Sequence, residues 1–306
     1  WHSIGGVAGN DTLYSMVSGT KGMNVIAPTW FSMTDENGAF RSFATADYVT
    51  TAHNMGLQVW GVLDNFNYAN ENGISISTLN MLSSTTARQT LVQNVTDTAG
   101  SPGLDGINVD FEQLSSDCGP HYVEFLRELS IQCRNKGLVL SVDNYVPFNF
   151  NDYYRLDIQG QVADYVIIMG YDEHWHGSKD PGSVASIGYV SDGLDRTLQE
   201  VPANKVVNAL PFYTILWKTE GTDVTDEYIT MHNEADFMSR AGVTAEWDEE
   251  TCQNYAEWTS GNATYQIWLE DAESIAVKLN MMTTKNIGGV AGWRLGHGKQ
   301  AARGLN

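Results

Sequence analysis

The feature that most constrains this chain is a rhythm. Short apolar runs rich in β-branched and aromatic residues alternate with longer stretches of helical periodicity along most of its length. Residues 23–33, 57–63, 104–112, 138–143, 162–171, 205–213 and 288–293 read as strands. Residues 47–56, 85–99, 119–135, 191–200 and 274–284 read as helices between them. In the third of these helices Val123, Leu126, Leu129 and Cys133 fall on one face, and Gly137 supplies the stop. Strand–helix alternation implies parallel strands joined by crossovers. The strands are apolar on both sides, as a sheet covered by helices requires. Residues 1–4 offer the stub of one more strand, and eight strands would close a barrel. Alternation alone leaves an open doubly wound sheet as the alternative. No Gly-x-Gly-x-x-Gly turn follows the early strands, which argues against a dinucleotide binder.

One stretch breaks the rhythm. Residues 218–271 are too long for a barrel loop. Residues 230–241 carry helical periodicity, and 245–247, 254–259 and 264–269 carry strand character. The expected architecture is α/β: a (β/α)8 TIM barrel from residues 1–217 and 272–306, with a small α+β insertion at 218–271 after the seventh strand.

Composition narrows the function classes. A length of 306 residues suits one large domain or a domain with an insertion. Seventeen Lys+Arg against 37 Asp+Glu give a net charge of -20, a surface that repels phosphate backbones, so nucleic acid is not an expected partner. No apolar run has the length of a membrane span. Cys118, Cys133 and Cys252 form neither a metal-ligand spacing nor an even disulfide set, and three free thiols are expected. The chain opens on Trp1 rather than Met, the expected look of a trimmed or processed piece, and any signal peptide or extra binding module would lie outside it.

The chemistry concentrates in Leu104-Asp-Gly-Ile-Asn-Val-Asp-Phe-Glu112. Side chains alternate along a strand, so Asn108, Asp110 and Glu112 share one face and Ile107, Val109 and Phe111 the other. In a parallel barrel the apolar set meets the helices. The polar set points inward, with Glu112 nearest the C-terminal rim, where such barrels carry their active sites. Asp110 and Glu112 are about 7 Å apart by strand rise. Two like charges in a poorly solvated place do not both ionise easily, so one pKa rises, and a carboxyl kept protonated near neutral pH is what a general acid needs. On polarity alone a structural hydrogen-bond cluster explains the segment equally well.

Asp105-Gly-Ile-Asn-Val-Asp-Phe-Glu112 resembles the D-x-x-D-x-D-x-E signature of glycoside hydrolase family 18, the chitinase-like barrels. Met169-Gly-Tyr171-Asp172 resembles that family's sixth-strand motif, Pro211-Phe-Tyr213 the end of its seventh strand, and Gly289-Val-Ala-Gly-Trp293-Arg its eighth-strand motif. Tyr265-Gln-Ile-Trp-Leu-Glu-Asp271 looks like the return from the family's insertion domain. Met169-Gly-Tyr-Asp-Glu-His-Trp175 is most similar to the spore-cortex and cell-wall lytic branch.

The resemblance implies roles residue by residue. Glu112 would protonate the glycosidic oxygen, and Asp110 would hold the substrate's N-acetyl group and hydrogen-bond to Glu112. Tyr171 would donate to the acetamide carbonyl, and Trp293 would floor the sugar pocket. Asp105 would brace the strand, while Asp172 would line the pocket. The implied mechanism is substrate-assisted and retaining, with the acetamide oxygen as nucleophile in place of a second enzyme carboxylate. Asn108 departs from the commonest family pattern, which has Asp there, and an amide would keep hydrogen bonds to Asp110 without adding a charge. The implied activity is a glycosidase acting on N-acetylated glycans, peptidoglycan or spore cortex, with chitin as the alternative. A non-catalytic lectin on the same fold is the alternative from another class. A monomer, extracellular and associated with a bacterial wall or spore, needing no cofactor and no metal, completes the expectation.

Rim position alone adds Tyr213, Asn144 and Tyr145 as candidate substrate contacts. Trp30 and Trp217 follow strands as well, where an aromatic either stacks on sugar or packs in the core. His174-Trp-His176 has no third ligand at useful spacing and reads as a loop lining the cleft.

Overall fold

The structure is a computed structural model that describes residues 1–67, Gly73 and residues 75–298. The expected barrel boundary at residue 306 lies outside the described residues. In chain order the main sheet begins with β1 (Val25–Ile26), β2 (Phe31–Met33), β3 (Phe40–Ser42) and β4 (Gln58–Asp64). It continues with β5 (Gly106–Asp110), β6 (Val139–Tyr145), β7 (Tyr165–Met169) and β8 (Val206–Pro211). The second sheet supplies β9 (Tyr213–Glu220), β10 (Asp223–Thr230), β11 (Glu246–Asp248), β12 (Gln253–Ser260) and β13 (Ala263–Leu269), and β14 (Gly289–Trp293) returns to the first. The helices are α1 (Leu13–Val17), α2 (Ala46–Asn54), α3 (Thr78–Ser83), α4 (Thr85–Gly100), α5 (Gly119–Lys136), α6 (Leu156–Val162), α7 (Ile187–Thr197), α8 (Glu234–Ala241) and α9 (Ala272–Thr284).

The main sheet runs β14-β8-β7-β6-β5-β4-β2, with β1 also on β4 and β3 antiparallel on β2. Every other pairing in it is parallel. Residues 1 and 2 join its two ends. The His2 N–H donates to Ala27 O and its carbonyl accepts from the Thr29 N–H, while the Leu295 N–H donates to Trp1 O. The expected strand stub is therefore a two-residue bridge, and it completes the (β/α)8 barrel.

The single strand expected over 23–33 is split into β1 and β2. Pro28 lies between them and has no N–H to donate, and His2 pairs opposite it. Residues 35–38 form the turn of a β2–β3 hairpin, closed by Asp35 Oδ1 accepting the Asn37 and Ala39 N–H groups. α5 ends on Gly137 at φ 70°, the left-handed cap that glycine takes without strain.

Core packing follows the strand alternation. Ile107, Val109 and Phe111 are buried with Leu91, Val95, Phe125, Leu126 and Leu129 from α4 and α5. Trp30 and Trp217 are core residues rather than rim platforms. Both are buried, with indole N–H groups on Asn10 Oδ1 and Gly182 O. The second sheet runs β10-β9-β13-β12-β11, all antiparallel, and packs Leu216, Ile229, Met238 and Ile267. It starts at Tyr213, ahead of position 218. Periodicity missed β9 and β10 because β10 carries Asp223, Asp226 and Glu227, which dilute its apolar alternation. α9 is tied to this sheet by a fully buried ion pair, Lys278 Nζ to Glu270 at 2.6 and 2.7 Å. Gln253 and Ser274 donate to the same carboxylate. Among the described residues no helix is long and apolar enough to cross a membrane.

Candidate active site

The site is built at the C-terminal ends of neighbouring strands. The β5 ladder stops at Asp110 rather than at Glu112. Beyond that point the Asn65 side chain takes over from β4. Its Oδ1 accepts the Glu112 N–H at 3.0 Å and its Nδ2 donates to Glu112 O at 3.0 Å. Gln113 then adopts φ 53°, a left-handed turn that ends the strand. Glu112 is thus fixed through its backbone with its carboxyl aimed across the barrel mouth. There Tyr145 Oη, from the end of β6, donates to Glu112 Oε2 at 2.7 Å. The same hydroxyl accepts the Gln113 N–H at 3.2 Å.

Below Glu112 lies a layer of buried carboxyls. Asp64 of β4 is in register with Asp110 of β5. Burial raises the Asp64 carboxyl above its ordinary range, against hydrogen bonds from the Phe66 N–H and Ser32 Oγ that lower it. Asp110 is pushed well above that range, first by burial and then by the charges of Asp143 and Glu112. Asp110 and Glu112 also share a hydrogen bond, in the sense that favours a proton on Asp110. Glu112 is itself raised by burial, with Tyr145 opposing. Asp143 of β6 is raised by burial to about 7, although an amide hydrogen bond from Asn108 opposes this. Burial and the neighbouring carboxylates thus shift these carboxyls toward the protonated form, the direction that acid catalysis requires.

The remaining candidates divide. Tyr171 is buried beside this layer, its ring edge-on to Tyr213 with centroids 6.4 Å apart. Burial and the surrounding carboxylates hold its phenol well above its usual range. Tyr213 Oη donates to Asp172 Oδ1, and Asp172 sits at φ 59° in the turn after β7. Burial raises the Asp172 carboxyl, and the Tyr213 bond opposes it. Trp293 ends β14 and meets Trp1 edge-on at 5.8 Å, while the Trp1 indole donates to Asn108 Oδ1 at 3.0 Å. Asn108 directs its amide not to Asp110 but to Ser141 Oγ and Asp143 Oδ1, at 3.0 and 2.8 Å.

Two candidates lie elsewhere. Asp105 precedes β5 and has the outward parity. It accepts the Val59 N–H and pairs with His53 of α2 at 2.8 Å, so it braces β4 at the far end of the strand. Asn144 points outward as well, exchanging two hydrogen bonds with Gln159 of α6 at 2.7 and 2.8 Å. The sequence reading passed over Asp64, Asn65 and Asp143. The signal was available: on β6 Ser141, Asp143 and Tyr145 share the inward face, whereas Asn144 lies with Leu140 and Val142. His174 and His176 are held by Asp180 O and by Asp226 Oδ1 at 2.8 and 2.7 Å.

A parallel α/β barrel with paired acids at the C-terminal end of one strand defines the glycosidase class of site. The profile of glycosyl hydrolases family 18 matches residues 70–298, and the chain belongs to this family. A cortical fragment-lytic enzyme of Bacillus subtilis is 26% identical over 229 residues, 71% of this chain and 52% of that protein. The chain spans about half the length of such relatives. The crystal structure of the Bacillus cereus spore cortex-lytic enzyme SleL superposes with a TM-score of 0.82 at 24% identity, covering 94% of this chain and 69% of the other. A chitinase from Chromobacterium violaceum superposes with a TM-score of 0.81 at 24% identity, covering 98% and 94%.

Proposed function

We propose that this chain is a retaining glycoside hydrolase that cleaves glycans containing β-linked N-acetylglucosamine, with peptidoglycan or spore cortex as the substrate. The observation that carries the reading is the Glu112 carboxyl. It is raised by burial, aimed into the mouth of the barrel by Asn65 and Tyr145, and hydrogen-bonded to Asp110. Glu112 gives its proton to the glycosidic oxygen as the substrate's own acetamide oxygen attacks the anomeric carbon. Asp110 takes the acetamide N–H, and Tyr171 donates to the acetamide carbonyl. Water then opens the oxazolinium ion with net retention, and Glu112 takes back a proton. Trp293 floors the pocket, with Tyr213 and Asp172 beside it.

Family membership supports the bond type, and the cortical fragment-lytic relative supports wall or cortex glycan. Chitin is the second reading, supported by a chitinase whose fold matches almost the full chain. The same reading takes the barrel and the 218–271 segment as one monomeric catalytic unit acting outside the cell, at the wall or spore. The test is turnover of an aryl β-N-acetylglucosaminide, followed by parallel digestion of cortex, vegetative peptidoglycan and chitin with products identified by mass. Release of reducing N-acetylated fragments is the expected result. Binding of all three without any release would overturn it.

A further inference from the structure

The register of three strands places three aspartates in a row. Asp64 pairs with Asp110, and Val109 pairs with Val142, so the next step along β5 and β6 sets Asp110 beside Asp143. Neighbouring strands are about 4.8 Å apart, and side chains in register on parallel strands point the same way. All three carboxyls are buried. Asp64 has partners in Ser32 Oγ at 2.9 Å and the Phe66 N–H at 3.1 Å. The other two are short of donors. Asp143 Oδ1 accepts from Asn108 Nδ2, but Asp143 Oδ2 and Asp110 Oδ1 are buried without a hydrogen-bond partner. Two ionised carboxylates so placed would be buried on neighbouring strands with no donor to either of these oxygens. A buried charge without a donor is strongly disfavoured. One proton between the two orphan oxygens satisfies both, as donor from one and acceptor on the other.

We propose that the resting protein holds one proton between Asp110 and Asp143, and that Asp143 is the positioning residue that fixes the protonation and orientation of Asp110. Position 108, two residues before Asp110 on its own strand, holds an amide. Asn108 cannot share a proton in this way, but it orients Asp143 through its Nδ2 and is itself held by the Trp1 indole. The buried carboxyl that accompanies Asp110 thus comes from the next strand. The titratable groups facing Asp143 are Asp110 and Glu112 at the end of β5, Tyr171 after β7, Tyr122 on α5 and the Trp1 amino group. The structural part stands on the strand register and the orphan oxygens. Only the kinetic consequence rests on the proposed roles of Asp110 and Glu112.

The test is carboxyl carbon-13 NMR of protein labelled at aspartate, with Asp143→Asn and the exchange variant Asn108→Asp/Asp143→Asn. In the wild type the Asp110 and Asp143 signals should titrate together in two linked steps, the second above the ordinary carboxylate range. In Asp143→Asn the Asp110 step should fall by about one pH unit or more, because a like charge has been removed. The exchange variant should restore linked titration by moving the carboxyl to β5. With the aryl substrate, the alkaline limb of kcat should move down by about one unit in Asp143→Asn and return in the exchange variant. An Asp110 titration untouched by Asp143→Asn would overturn the proposal, as would independent titration of the two carboxyls. Linked titration in a wild type without any turnover would instead remove the glycosidase reading and leave the shared proton standing.

Discussion

Asn65 holds both backbone polar groups of Glu112, accepting from its N–H and donating to its carbonyl at 3.0 Å each. The side chain replaces a strand partner where the β4–β5 ladder has ended at Asp64 and Asp110. It also donates to Thr78 Oγ1, which anchors it to the start of α3. Asn65→Ala should release the Glu112 backbone without touching its carboxyl. Displacement of a reacting group by about 1 Å costs up to about 100-fold in rate. The expected outcome is a fall in kcat of about 10- to 100-fold with KM within about threefold. Steady-state kinetics on the aryl substrate check it.

Glu112→Gln removes the transferable proton and keeps the shape. It should lower kcat by about 100- to 10,000-fold, the usual contribution of a positioned general acid. Calorimetric titration with an N-acetylglucosamine oligosaccharide should give a Kd within a few-fold of the wild type. Full activity in this variant would show that another group is the acid.

Tyr145→Phe deletes the hydroxyl that donates to Glu112 Oε2. That bond favours the ionised carboxylate and opposes burial, so its loss should raise the Glu112 pKa further. The protonated acid would then persist to higher pH. The alkaline limb of kcat should move up by about half to one pH unit, opposite in direction to the shift expected for Asp143→Asn. A pH–rate profile distinguishes the two signs.

Stability should fall as pH rises. Burial lifts the Asp143 carboxyl from 3.8 to about 7. Between these values the folded protein keeps a proton that the unfolded chain has released. The associated stability is present below about pH 4 and is lost as pH rises through about 7. Asp64, Asp110, Glu112 and Asp172 are shifted in the same direction and add the same sign. Thermal melts from about pH 5 to pH 8 should show a falling Tm, and Asp143→Asn should flatten part of that slope.

Lys278→Met should destabilise by about 3–5 kcal/mol, because it leaves Glu270 charged, fully buried and without its counter-ion. Adding Glu270→Leu should recover most of the loss. Urea denaturation of the single and double variants measures both. The pair lies between β13 and α9, so the result also reports how tightly the second sheet is tied to the barrel.

Strand alternation made the inward set Asn108, Asp110 and Glu112 legible in the sequence, together with the outward set that meets α4 and α5. It could also have selected Asp143 and Tyr145 over Asn144, since only the odd-numbered residues of β6 turn inward where Ser141 meets Asn108. Asp105 was legible as a brace, but its outward parity and its position before the strand rule out the pocket. Tyr213 was readable as a rim residue. Its bond to Asp172 was not, because a left-handed turn after β7 sets the direction of that carboxyl.

By itself, then, the sequence determined the strand–helix order and the faces of β5, since these follow from periodicities of two and 3.6 within one segment, whereas the acid role proposed for Glu112 rests on the family resemblance. Only the tertiary structure decided what surrounds Glu112. Asn65 comes from β4, Tyr145 and Asp143 from β6, and the register between strands brings them together. Register is set by packing across the whole sheet, a relation among distant segments that no local pattern records. For the segment on which the chemistry rests, the strand pattern placed two carboxyls inside the barrel, and the neighbouring strands supply the groups that shift their pKa values, Asp143 and Tyr145 among them.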